Sequence, residues 1–61
     1  MNYEFIGKAT INGTQTSIRK YDNGCYSVVM DEESKYSGRT LKELTDKLDK
    51  AKIIYTIIKK P

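Results

Sequence analysis

Residues 3 to 11 alternate between apolar and polar side chains. Tyr3, Phe5, Ala9 and Ile11 fall on one side and Glu4, Lys8 and Thr10 on the other, the period of a half-buried strand, with Gly7 as an interruption. Asn12-Gly13 follows. Both central positions of a type I′ turn need positive φ, which Asn and Gly tolerate best, so a hairpin is expected here. A two-residue turn pairs Ile11 with Thr14, Ala9 with Thr16, Gly7 with Ile18 and Phe5 with Lys20, which puts these residues on one inner face. At Asp22-Asn23-Gly24, side-chain parity separates two readings. A two-residue Asn23-Gly24 turn sets Cys25, Ser27 and Val29 beside Ile18. A three-residue loop with Gly24 left-handed sets Tyr26, Val28 and Met30 there, and is preferred because it buries the larger apolar set.

Asp31-Glu32-Glu33 and the polar segment from Ser34 to Arg39, which contains Gly38, read as a connection. Thr40-Leu41-Lys42-Glu43 is a capping box, in which the Thr hydroxyl accepts from the free amide three residues on and the Glu reaches back. From there Leu41, Leu44, Leu48, Ala51, Tyr55 and Ile58 recur at spacings of three and four, a stripe that faces a sheet. Glu43 with Lys47 and Asp46 with Lys50 are spaced as ion pairs on the wet side. Ile53 to Ile58 can also be read as an added strand, but no Gly or Pro separates the stretch from the helix, which favours a helix to about residue 59. The expected fold is a single α+β domain over 1–61. Its three-stranded antiparallel β-meander (strands about 3–11, 14–21 and 25–31) precedes one C-terminal α-helix (about 40–59) packed on one sheet face, β-β-β-α.

Size changes the picture by making the core thin: a domain of 61 residues buries about 60% of the surface that its unfolded chain exposes. Folds this small are usually supplemented by disulfides, metals or a second subunit, and with Cys25 alone and no histidine the second subunit remains. Ile53 and Ile57 lie one turn apart on the far side of the expected helix, flanked by Ile54. A helix apolar all round is not satisfied by one sheet, so these three residues are the expected homodimer interface. One unpaired cysteine suggests a reducing, cytoplasmic setting. No run of 18 apolar residues and no signal-peptide order is present, and no membrane association is expected.

A catalytic reading has little to stand on, because there is no histidine, no glycine-rich phosphate loop and no nucleophile with a visible base, Cys25 being the only conventional one. Asp31-Glu32-Glu33 lacks the spaced oxygens of a calcium loop, so neither metal nor cofactor is expected. The net charge of +3 comes from 11 basic and 8 acidic residues and is too small to identify a nucleic-acid binder without its distribution. The expected outer sheet face carries Glu4, Lys8, Thr10, Gln15, Ser17, Arg19, Tyr21 and Ser27, plus Ile6 and Val29. Polar groups mixed with an aromatic suit a sheet that enters a DNA groove, with Lys8 and Arg19 as principal contacts and Gln15, Ser17 and Tyr21 in support. Only two of these side chains are basic, which favours protein contacts and leaves DNA as the alternative.

Asn23-Gly24-Cys25-Tyr26-Ser27-Val28, leading to Ser37-Gly38-Arg39-Thr40-Leu41-Lys42-Glu43-Leu44, resembles the antitoxins of HicA–HicB systems, in which a Gly-Tyr-rich strand precedes a Gly-x-Thr-Leu motif that opens a helix. The resemblance covers about half the chain; no Pro-Asp follows the third strand, and no separate DNA-binding segment is seen. The order strand-strand-strand-helix is also similar to the arm-site-binding domains of phage and transposon integrases, which implies a DNA-reading sheet. Abundant Lys, Ile, Tyr and Asn suggest a low-GC bacterial or phage coding sequence. Together these lead to the expectation of a small non-enzymatic inhibitor or regulator, from a phage or mobile element, that acts by binding a protein partner.

Overall fold

The computed structural model describes residues 2–59. Five strands and one helix follow in the order β1 (Tyr3–Ile11), β2 (Thr14–Tyr21), β3 (Tyr26–Met30), β4 (Glu33–Gly38), α1 (Leu41–Lys50) and β5 (Ile54–Ile57). All neighbours in the sheet are antiparallel, in the spatial order β4-β3-β2-β1-β5. The expected three-stranded meander with a long terminal helix is therefore corrected at two places: a fourth strand precedes the helix, and the helix is short and followed by a fifth strand.

Both predicted loops form. Asn12 and Gly13 have φ of 50° and 81°, and Ile11 pairs with Thr14. Gly24 has φ 91°, its amide donates to the Tyr21 carbonyl oxygen, and Ile18 pairs with Val28, as the three-residue loop requires. The next turn was not foreseen. Met30 pairs with Glu33 across Asp31 and Glu32, whose φ of 53° and 65° make a tight hairpin from two residues that disfavour that region. It leads into β4, the polar edge strand that the sequence suggested as a connection.

Thr40 caps α1, its hydroxyl oxygen accepting from the Glu43 amide at 3.0 Å. The helix stops after ten residues because Lys52 turns left-handed at φ 58°. Its amide donates to the Asp49 carbonyl oxygen and that of Ile53 to the Leu48 carbonyl oxygen, the paired bonds of a Schellman ending made without glycine. Ten residues rise about 15 Å, close to the roughly 19 Å that separates the edges of five strands. The short helix thus carries the chain across one face from β4 to the opposite edge, where β5 pairs with β1 from Gly7–Ile57 to Thr10–Ile54. Of the predicted helical stripe, Leu44 and Leu48 are buried and Leu41 is half-buried against the core; Ala51 is exposed, Tyr55 belongs to β5 and Ile58 lies beyond it. The expected Glu43–Lys47 and Asp46–Lys50 pairs are replaced by Lys42–Asp46 at 3.1 Å and by Lys47 donating to the Ser37 carbonyl oxygen.

The core is one layer between helix and sheet: Ile6, Ala9, Ile18, Tyr26 and Val28 below, Leu44 and Leu48 above. Ile6, Ile18, Val28, Leu44 and Leu48 are fully enclosed, each contributing on the order of 1.5–3 kcal/mol. Thr16, buried among them, donates its hydroxyl to the Ala9 carbonyl oxygen at 2.9 Å. The presence of Ile6 in this layer is a second correction. The β1–β2 register shifts between Phe5 and Gly7, so Ile6 bulges inward, Phe5 pairs with Arg19 and Glu4 with Lys20. Tyr3 and Phe5, expected inside, are turned to the other face.

Candidate interaction surface

The helix covers one face only, leaving the other face open. Register assigns to it Tyr3, Phe5, Lys8 and Thr10 of β1, Gln15, Ser17, Arg19 and Tyr21 of β2, Ser27 and Val29 of β3, Ser34 and Ser37 of β4, and Ile54 and Thr56 of β5. The five residues proposed for nucleic acid therefore do share one face. Lys8 stands between Ser17 and Thr56, Gln15 opposite Thr10, Arg19 between Phe5 and Ser27, and Tyr21 opposite Tyr3. Glu4 and Ile6 leave the expected set, and Tyr3, Phe5, Ser34, Ser37, Ile54 and Thr56 join it. The signal missed was Gly7, since an isolated glycine inside an alternating strand marks a bulge and a bulge reverses parity beyond it.

One corner of this face is organised. The Arg19 guanidinium carbon lies 4.1 Å from the centroid of the Tyr3 ring, and the Tyr3 and Tyr21 rings are 5.7 Å apart at 59°. Hydrogen bonding to Tyr21 is the main influence raising the Arg19 pKa; burial opposes it, and electrostatic interaction with Tyr3, Tyr21 and Glu32 assists. The Nε of Arg19 is buried without an acceptor. A shallow cleft of about 390 Å³ runs from Asn2 to Gly24 beside the two tyrosines, with Glu4 and Lys20 on its walls. Glu4 itself is ion-paired with Lys59, first by hydrogen bonding and then by charge, which lowers its pKa.

Large apolar side chains stand exposed on the open face: Ile54 at 78%, Tyr3 at 51% and Phe5 at 41%. The residues expected to join two copies are divided between surfaces. Ile53 and Ile57 pack half-buried against the core, and only Ile54 faces outward. The premise of one apolar helix patch is removed, because the stretch is not helical.

Cys25 lines a second cleft of about 280 Å³ with Ser37, Gly38, Arg39, Glu43 and Lys47. Its backbone amide donates to the Asn23 side-chain oxygen, and the chain supplies no histidine to act as a base. Among the described residues no group of His, Cys, Asp and Glu is placed to hold a metal ion, and no helix is long and apolar enough to cross a membrane. Compared with family models, curated proteins and solved structures, the chain matches none.

Proposed function

We propose that this chain is a small non-enzymatic binding protein, a cytoplasmic inhibitor or regulator that acts by protein–protein contact through the open face of its sheet. The observation that carries this reading is the Tyr3–Arg19–Tyr21 cluster beside the exposed Phe5 and Ile54, on a face that none of the described elements covers. Tyrosine and arginine dominate the energetics of protein interfaces because each buries a large, conformationally restricted surface while retaining polar bonds. The sheet edges are less suited to the role. β5 is four residues long between Lys52 and Lys59, and β4 is polar and irregular near Lys35; short, charged and bulged edges resist strand addition. The HicB-like stretch supports the regulator part of the reading, and the composition supports a phage or mobile-element source.

DNA recognition by the same face is the second reading, favoured by the placement of Lys8, Gln15, Ser17, Arg19 and Tyr21 together. Against it, proteins that track a duplex make on the order of six to ten phosphate contacts, and the strand positions of this face hold two cations, of which Arg19 is stacked on Tyr3. Affinity capture from a lysate of the encoding organism, with wild-type chain and with Phe5→Glu/Ile54→Lys, tests the proposal. A protein retained by the first and lost by the second is expected. Equal retention would place the contact elsewhere, and binding of random duplex DNA with a steep inverse salt dependence would favour the second reading.

A further inference from the structure

We infer that the partner of the open face is an acidic protein surface, one of whose carboxylates docks on Arg19 beside Tyr3 and Tyr21. The inference rests on the protein-contact reading and specifies the chemistry of what is bound.

None of the fourteen strand positions of the face is Asp or Glu, whereas two are Lys8 and Arg19. The carboxylate that acts on Arg19 from outside the strands is Glu32, in the turn at the rim. Elsewhere the two signs are mixed, nine Lys and Arg against eight Asp and Glu. The helix carries Lys42, Lys47 and Lys50 against Glu43, Asp46 and Asp49, and ion pairs join Lys35 to Glu33, Lys42 to Asp46 and Lys59 to Glu4. Among the described residues Arg19 forms no ion pair, although it is the half-buried cation at the organised corner. Its guanidinium is held over the Tyr3 ring and its Nε is buried, so a partner meets the terminal end of the guanidinium. A planar fork fixed in this way suits bidentate binding of a carboxylate, and the ordering cost is already met by the stacking. A second copy is a poor occupant. Face-to-face packing would gather the Lys8 and Arg19 of both chains with no carboxylate among the strand positions, and like charges brought together at an interface select against a partner.

The test uses the full chain and a defined probe, the random copolymer poly(Glu,Tyr), with poly(Lys,Tyr) and a 20-base-pair duplex as comparisons, followed by nitrogen–proton NMR at physiological salt. Arg39, exposed and outside the sheet face, is an internal control for Arg19. Poly(Glu,Tyr) should shift the Arg19 Nε–H signal and the amides of Phe5, Lys8 and Tyr21 in a saturable manner, leaving Arg39 unmoved. Arg19→Ala should weaken binding at least tenfold, and Arg19→Lys, which retains charge but loses the fork, by several-fold. Retained spectral dispersion establishes that each variant is folded, and Lys8→Ala supplies an independent variant of the same face. Shifts confined to Arg39 and the helix lysines, unchanged affinity in both variants, or self-association through the face would overturn the inference. Preference for poly(Lys,Tyr) at the same residues would overturn it while leaving the protein-contact reading intact. Tighter binding of the duplex at those residues would overturn both.

Discussion

Gly7→Ala is expected to destabilise the protein by about 2 kcal/mol, and its sign separates this fold from a sheet with a long terminal helix. A Cβ built at Gly7 lies 2.4 Å from the Thr56 carbonyl oxygen and 3.2 Å from the Ile57 Cα, both on the β5 backbone. Ordinary contact would require β5 to retreat by roughly 1 Å. The β1–β5 ladder bonds nearest Gly7 would then exceed the distance at which hydrogen bonds hold. Losing two of them costs about 0.5–1.5 kcal/mol each, and the half-buried Tyr55 and Ile57 would loosen with the strand. If residues 53–58 were helical, Gly7 would be an ordinary strand position, where alanine is favoured by roughly 0.5–1 kcal/mol. Urea unfolding followed by circular dichroism measures the difference. The midpoint should fall with little change in slope, and the melting temperature by roughly 8–16 °C, at 4–8 °C per kcal/mol for a domain of this size. An unchanged or raised midpoint would refute the close approach of β5.

Lys52→Gly should stabilise by about 0.5 kcal/mol, because the left-handed penalty of roughly 1–2 kcal/mol is relieved and the extra freedom of glycine in the unfolded chain returns part of it; thermal melts will show a rise of a few degrees, whereas Lys52→Val should lower the melting temperature. Replacing Asp31-Glu32 by Asn-Gly should add about 1 kcal/mol for the same reason, read as a higher urea midpoint. The Glu4 carboxyl is held below its ordinary pKa by hydrogen bonding and charge from Lys59. The unfolded chain therefore binds a proton before the folded one does as pH falls. The stability that this pair contributes is present above the ordinary carboxyl pKa and lost as pH falls through the lowered one. In urea titrations from pH 6 to pH 2, Glu4→Gln should flatten that part of the profile, and an identical profile would show the pair to be without effect.

What could be read from the residues were the features that follow their physical rules locally. Asn12-Gly13 and Gly24 sit where positive φ is needed, Thr40 caps the helix, and Leu44 and Leu48 face the core as the helical period requires. What could not be read were places where the chain accepts a backbone cost without the usual residue. The helix ends on Lys52 rather than Gly or Asn, so nothing in the sequence marks a break before the six residues from Ile53 to Ile58, although Ile54-Tyr55-Thr56-Ile57 alternates in exposure as a strand. The Asp31-Glu32 turn concealed a hairpin, and the strand after it is a polar edge with no apolar alternation to reveal it. The candidate site was legible for Lys8, Gln15, Ser17, Arg19 and Tyr21, all beyond the bulge or on the partner strand. It was misread at Tyr3 and Phe5, because a single extra residue at Ile6 inverts the face that precedes it.

The tyrosines allow the open-face account to be measured without ambiguity. Tyr3 and Tyr21 lie on the open face, while Tyr26, Tyr36 and Tyr55 lie on the side that the helix covers. Fluorine NMR of the chain labelled with 3-fluorotyrosine, recorded with and without the protein that affinity capture recovers, reads the two groups separately. With recognition through the open face, the Tyr3 and Tyr21 resonances shift and broaden while the other three stay in place. Movement of Tyr36 or Tyr55 with Tyr3 and Tyr21 unmoved would contradict it.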